Sequence, residues 1–346
     1  MEIGRNQAFV SDFLDFDKVR VKPAGRRIGI KTLRRLPGDA STRLYFRMTD
    51  QSGSWIVVRQ DRFDRGSRDL PFLSVQSLLE RNGIAVPKIF GVSPKEGVLF
   101  LEDLGDETLL HRLARIKDHA EQLRLYRSAV ELLVELQSRC LPNRNAGDLE
   151  AFELAFDTPK LMWEVDFTIE HLFRGYLKRK MSPRDLRVMR DGFRTLCQRL
   201  AREPRVFTHR DFHSRNLMVD SATDALSVID FQDARMGPAQ YDLASLLKDC
   251  YYRLEDGVVE KLKTLYRDRM GRALGKRFSA AQFDRVFDWM TIQRSFKAMG
   301  SFASFYQTRG NPIYLRYLGT AFENMRNALM NTPEHRRLRE VILAYY

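Results

Sequence analysis

Apolar residues change their period part-way along this chain. From about Gly29 they come in short runs bounded by Gly, Asp and Ser, and Ile30–Leu36, Leu44–Met48 and Ser54–Arg59 read as strands. The stretches IAVPKIFGV (84–92) and VLFLEDLG (98–105) predict two more, with Gly91 and Pro94 to Gly97 as turns. Between the two sets, Asp69 to Arg81 predicts a helix with Leu70, Leu73, Leu78 and Leu79 on its buried face. Beyond about residue 107 the period is helical. Leu123, Tyr126, Ala129, Val130, Leu133, Val134 and Leu136 form one buried stripe, and Thr158-Pro159 starts a helix over 158–179. Further helices are predicted over Ser182–Arg202, 242–253, 256–270, 279–300 and 312–330. A short amphipathic helix is predicted over 6–20, from Phe9, Val10, Phe13, Leu14 and Phe16. Strands first and helices afterwards predict an α+β fold: a β-rich lobe over 1–103 and a mostly helical lobe over 104–346.

Inside the helical half one stretch breaks the pattern. Val206 to Asp233 reads as an apolar approach, a polar turn (HRDFHSRN), a strand (LMV), a turn (SATDA), a second strand (LSVID) and an acidic end. Charged groups between strands are unfavourable unless paired or holding a metal. A hairpin here brings Asp211, Asn216 and Asp230 together. Two carboxylates and an amide oxygen facing one point make a hard-oxygen site suited to Mg²⁺ bridging phosphates. His209-Arg210-Asp211, four residues and then Asn216 is also the spacing of the protein-kinase catalytic loop, with Asp230 in the place of the second metal-binding aspartate.

HRDFHSRNLMV followed by VIDFQDARMGPAQYDLASLL resembles the aminoglycoside phosphotransferase and choline kinase group, relatives of the protein kinases. GDASTRLYFR (38–47), FLEDLGDETL (100–109) and the IDFQDA and YDLASLL phrases are similar to bacterial cell-wall kinases that phosphorylate the anomeric hydroxyl of N-acetylmuramate and N-acetylglucosamine. The resemblance covers roughly residues 30–330. It implies a two-lobed protein-kinase-like fold, ATP and Mg²⁺ as cofactors, Asp211 as catalytic base, and Asn216 and Asp230 as metal ligands. In that frame His213 stands where serine/threonine kinases have a lysine, and touches the acceptor or positions the loop. Asp242 braces the catalytic loop, and Glu164 faces the acceptor. Main-chain groups from Glu102 to Leu104 pair with adenine; a helix-capping role for the acidic pair Glu102 and Asp103 is the alternative. The turn carrying Ser41 and Thr42 approaches phosphates, or is a plain hairpin. Arg59 or Gln60 occupies the place of the phosphate-binding lysine, although guanidinium geometry differs from that of an ammonium, and a solvent-facing charge is the other reading. The helix after it places Phe72 where a glutamate partner is expected, with Glu80 and Asp69 as poor substitutes.

Composition narrows the function classes. The 346 residues are 44 % hydrophobic and 11 % aromatic, the make-up of an ordered protein. The net charge of +13 is dispersed, which argues against a nucleic-acid partner and suits an anionic small molecule steered into a cleft. Cys140, Cys197 and Cys250 have no metal-site spacing and read as reduced thiols. No stretch approaches the length of a membrane span, and charges break every apolar run of the N-terminus, so the expected location is cytoplasmic. Oligomeric state is not encoded in any readable feature. The reading is thus an ATP-dependent kinase of a small amino sugar. Its alternatives are a phosphotransferase acting on an aminoglycoside or another small alcohol, and a pseudokinase that binds nucleotide without transfer.

Overall fold

The computed structural model describes residues 31–36, 43–51, 53–63, 70–142 and 149–346. The helix expected over 6–20 and the turn with Ser41 and Thr42 lie outside these residues.

An antiparallel five-stranded sheet comes first. Its strands are β1 (Thr32–Arg35), β2 (Leu44–Thr49), β3 (Ser54–Arg59), β4 (Ile89–Ser93) and β5 (Val98–Glu102), in the order β1-β2-β3-β5-β4. Alternation along the strands sends Phe46, Met48, Trp55, Val57, Val98 and Phe100 into one small core. Val58, Leu99 and Leu101 face the other way and join the main core beneath α1 (Pro71–Arg81). The turn before β5 depends on Gly97, whose φ is +66° and whose Cβ would collide with the carbonyl oxygen of Gln60.

After β5 the chain is helical. α2 (Leu109–Arg115) is capped by Thr108 and α3 (His119–Arg139) by Asp118. Then come the single turn α4 (Glu150–Glu153), α5 (Thr158–Thr168) and α6 (Pro183–Ala201). The helix expected over 158–179 is not uniform: Ile169–Tyr176 widens into a π-helix. Gln307 explains the change. Its Nε2 donates to the His171 carbonyl at 3.1 Å and its Oε1 accepts from His171 Nδ1 at 2.9 Å, so a side chain enters the helical ladder.

Two small antiparallel ladders follow, β6 (Arg205–Thr208) with β9 (Arg235–Pro238) and β7 (Leu217–Val219) with β8 (Leu226–Val228). The remaining helices are α7 (Gln240–Leu247), α8 (Asp256–Leu274), α9 (Ala280–Arg309), α10 (Leu318–Met330) and α11 (Arg336–Tyr345). The last of these is absent from the sequence expectation. The 30-residue α9 is the spine of this part and packs on α5, α7, α10 and the π segment. It crosses α5 at Gly300, where an added Cβ would lie 2.7 Å from the Thr168 Cα, while Thr168 Oγ1 donates to the Phe296 carbonyl at 3.1 Å.

Candidate active site

The β7–β8 hairpin is held against the segments that precede β4 and follow β5. Val219 N–H donates to the Glu107 carbonyl and Val228 N–H to the Ala85 carbonyl, both at 2.8 Å. One turn enters this hairpin from β6 and carries Asp211; another leaves it and carries Asp230. Both turns contain a left-handed non-glycine residue, Arg210 at φ 81° and Asp230 at φ 64°. Such conformations persist only where surrounding structure imposes them. Here Asp242, fully buried, accepts from the N–H groups of His209 at 2.7 Å and Arg210 at 3.0 Å. Burial raises the Asp242 pKa, against the pull of His209 and the two amides.

These turns bring the expected groups together. Asn216 Nδ2 donates to the Asp211 carbonyl at 2.9 Å and lies 3.5 Å from Asp230 Oδ2. The amide nitrogen thus lies between the Asp211 carbonyl and the Asp230 carboxylate, and the Asn216 side-chain oxygen and the Asp230 carboxylate are the hard donors of this corner. Asp230 Oδ1 also accepts from Gln232 Nε2 at 2.7 Å. Two protein oxygens suit a Mg²⁺ ion that keeps waters and takes phosphate oxygens for its remaining positions. Among the described residues no group of three or more His, Cys, Asp or Glu is placed to hold a metal ion.

The Asp211 side chain points the other way. Its Oδ1 lies 3.4 Å from Lys297 Nζ and 3.6 Å from Arg294 Nη2, with 31 % of the side chain exposed. Burial opposes ionisation, but Lys297, Arg294 and Arg210 together hold this carboxyl well below the usual range. Beside it opens a cavity of about 110 Å³ lined by Asp211, His213, Ser245, Asp249, Tyr251 and Lys297 among others. His213 borders this cavity with its ring against Tyr251 at 5.1 Å, and burial pushes its pKa down to about 3, so it is uncharged at neutral pH.

Glu164 is placed differently from its expected role. Its side chain is 2 % exposed and is not among the described residues that line the cavity. It accepts from Gln293 Nε2 at 2.9 Å and lies 3.6 Å from Lys160 Nζ and 3.9 Å from Arg210 Nη2. A carboxylate at that depth needs cations around it, and it meets them beneath the catalytic loop. Arg210 also reaches Asp233 at 3.4 Å.

On the nucleotide side, Arg59 ends β3 opposite Leu44 and Val98. Phe72 stacks on Phe231 at 4.9 Å, so an aromatic pair fills the place where an acidic partner for Arg59 was sought. Glu102 uses its N–H on the Lys88 carbonyl at 2.9 Å and its carboxylate on Lys88 N–H at 3.1 Å. Leu104 follows in an irregular, half-buried segment. The neighbouring Asp103 is clamped by Arg47 from β2 through two bonds of 2.6 and 2.9 Å, and by Ser54 Oγ.

Sequence reasoning missed Arg47, Arg294 and Lys297. For the last two a signal exists: IQRSFKAMG puts two cations one turn apart in a run otherwise apolar enough to be core. Buried cations of that kind require an acidic partner.

Similarity to known proteins agrees with this arrangement. The N-acetylmuramate/N-acetylglucosamine kinase of Neisseria meningitidis serogroup B is 32 % identical over 289 residues, 81 % of this chain and 82 % of that protein. The protein of the same name from Pseudomonas aeruginosa is 30 % identical, covering 88 % of this chain and 86 % of its own length. Solved structures share the fold at lower identity. ADP-bound aminoglycoside phosphotransferase APH(2'')-Ib superposes with a TM-score of 0.58 at 16 % identity, over 86 % of this chain and 94 % of that one. Choline kinase LicA from Streptococcus pneumoniae gives 0.59 at 15 %, over 93 % and 99 %. Residues 32–283 match the phosphotransferase enzyme family designated APH, which spans the sheet, both ladders and the start of α9. That match covers well over half of the chain and includes Asp211, Asn216 and Asp230, and the chain belongs to the phosphotransferase enzyme family.

Proposed function

We propose that this protein is an ATP-dependent kinase that transfers the γ-phosphoryl group to the anomeric hydroxyl of N-acetylmuramate, N-acetylglucosamine or both, in the recycling of cell-wall sugars. The chemistry rests on one observation: the Asn216 side-chain amide lies against the Asp230 carboxylate, its nitrogen at 3.5 Å, while Asp211 lines the adjoining cavity. The acceptor rests on the curated relatives, which cover more than four-fifths of the chain.

Phosphoryl transfer requires positioning and neutralisation of charge more than covalent help. Asn216 and Asp230 would hold Mg²⁺, which supplies charge stabilisation across the phosphates when bound. Asp211 orients the sugar hydroxyl through its carboxylate and takes the proton as the O–P bond forms. The bond from Pγ to the bridging oxygen breaks, and its electron pair leaves on ADP. Arg59 and the turn with Ser41 and Thr42 are assigned to the phosphates, and the Glu102 carbonyl and Leu104 N–H to adenine. His213, uncharged, offers the acceptor an imidazole edge. Glu164 acts through Arg210 on the shape of the catalytic loop.

The charge around Asp211 bears on the alternatives. Lys297, Arg294 and Lys248 border the cavity, an environment that repels a polycationic aminoglycoside or the ammonium of choline. The same cations suit a carboxylate-bearing sugar. The grouping of Asp211, Asn216 and Asp230, together with the kinase-named relatives, favours transfer over the pseudokinase alternative.

The test is transfer from ATP to N-acetylmuramate, N-acetylglucosamine, an aminoglycoside and choline, with the phosphorylated position read by ³¹P NMR. Anomeric phosphate on either acetylated sugar supports the proposal; transfer only to the cationic acceptors, or none at all, rejects it.

A further inference from the structure

We propose that Lys297 is a catalytic residue whose ammonium contacts the oxygens in transit between the acceptor and the γ-phosphoryl group. The inference rests on the kinase reading of the site, and adds to it a cation delivered from α9 rather than from the catalytic loop.

Arg294 and Lys297 lie one turn apart on α9, so both reach the same oxygen, Asp211 Oδ1. Their commitments differ. Arg294 is 11 % exposed; its Nη1 donates to the Arg210 carbonyl and its guanidinium lies over the Tyr241 ring at 4.6 Å. It is a strut for the left-handed Arg210. Lys297 is 19 % exposed and borders the cavity, and Asp211 is its sole hydrogen-bond acceptor among the described residues. An ammonium carries three donors, so two remain for a ligand.

The location fits the charge that phosphoryl transfer creates. The main chain of Asp211 faces Asn216, and its side chain faces Lys297. Cation binding at Asn216 and Asp230 therefore serves one side of the base, while Lys297 serves the acceptor side. An acceptor hydroxyl donating to Asp211 Oδ1 shares that oxygen with Nζ, and rotation of the flexible lysine stem brings the ammonium onto the attacking oxygen or an equatorial phosphoryl oxygen. In the step, the hydroxyl proton moves to Asp211, the O–Pγ bond forms, and the Pγ–O bond to ADP breaks with its electron pair. No proton is taken from Lys297, which stabilises the charge spread over the moving group. His213, uncharged and packed on Tyr251, cannot supply this charge.

The experiment compares Lys297→Met and Lys297→Arg in the wild-type and Asp211→Asn backgrounds. It reads kcat for transfer to N-acetylglucosamine and N-acetylmuramate, the slow hydrolysis of ATP, ADP affinity by calorimetry, and Tm. The expected result for Lys297→Met is a fall in kcat of about 100-fold or more, with ADP affinity and Tm close to wild type. Lys297→Arg keeps a substantial part of the activity, and the methionine effect persists in the Asp211→Asn background. If kcat stays within about threefold of wild type, the proposal is wrong. It is equally wrong if the effect vanishes when Asp211 is already amidated, since Lys297 would then act only by orienting the base. Should the methionine variant unfold, Lys297→Gln gives the same comparison. A wild-type protein that phosphorylates neither sugar would remove the sugar assignment alone, and the Lys297 effect would still be read on ATP hydrolysis.

Discussion

His209 donates from Nε2 to the carbonyl of Ile229 at 2.9 Å, which ties the turn of Asp211 to the turn that carries Asp230. A carbonyl only accepts, so Nε2 bears the proton, and Nδ1 is left to accept from the Asp211 N–H at 3.3 Å. One imidazole thus fixes both sides of the site. His209→Phe retains the volume but orphans a buried carbonyl, a loss of about 1–3 kcal/mol. Urea unfolding is expected to show that loss, with kcat reduced by more than about tenfold because the spacing of Asp211 and Asp230 relaxes.

Replacing Asp211 and replacing Asp230 should give different signatures if the proposed roles hold. Asp211→Asn is expected to lower kcat by about 10²- to 10⁴-fold with ADP affinity retained. Asp230→Ala is expected to abolish the Mg²⁺ dependence of nucleotide binding together with transfer, while Tm changes little. Calorimetric titration of ADP with and without Mg²⁺ separates the two.

Asp242 predicts a purely structural failure. Asparagine in its place would turn an N–H towards one of the two amides that now donate to it, leaving a buried donor facing a donor. Asp242→Asn is expected to destabilise the fold by about 2–4 kcal/mol, measured by denaturant unfolding.

Asp249 predicts a pH dependence. It is 3 % exposed and accepts from Ser214 N–H at 3.0 Å, and burial raises its pKa to about 6 against the pull of the Ser214 bonds. A carboxyl with a raised folded-state pKa holds its proton more tightly in the native state. Its contribution to stability is therefore greatest below the unfolded value near 3.8 and is lost as pH rises to about 6. Asp249→Asn does not titrate, so between pH 4 and pH 7 it should gain on wild type by up to about 3 kcal/mol. A difference in Tm that stays constant over that range would contradict this.

Arg47 predicts an effect on nucleotide binding. Its guanidinium joins β2 to the segment after β5 through Asp103, Asp106 at 2.7 Å and the Gly105 carbonyl at 3.1 Å. Arg47→Met is expected to raise the KM for ATP by about tenfold with a smaller change in kcat, since the adenine-side segment loses its clamp.

The sequence carries these elements unequally. Alternation in SWIVVR marks β3 to the residue, and the stripe from Leu123 to Leu136 marks α3, because one face of each is buried and the periodicity of 2 or 3.6 has to follow. The hairpin at 206–233 is legible because its charges stand between apolar strands. Tertiary partners are harder to read. The π segment depends on Gln307, more than a hundred residues away, and the Asp211–Lys297 pair joins residues 86 positions apart. Glu164 reads as an acid facing the acceptor until the cations Lys160 and Arg210 around it are in view. α11 escapes notice because its polar residues outnumber Leu338 and Ile342, the two it buries.

The crossing of α5 and α9 leaves no space for a methyl group at Gly300. That glycine behaves as an indexing stop, setting how deeply the long helix seats and, one turn earlier, how far Lys297 extends. Substitution by alanine would lift the helix and draw the ammonium back without altering any group that meets a substrate. The shape of the cavity is therefore open to change through a position that does not itself line it.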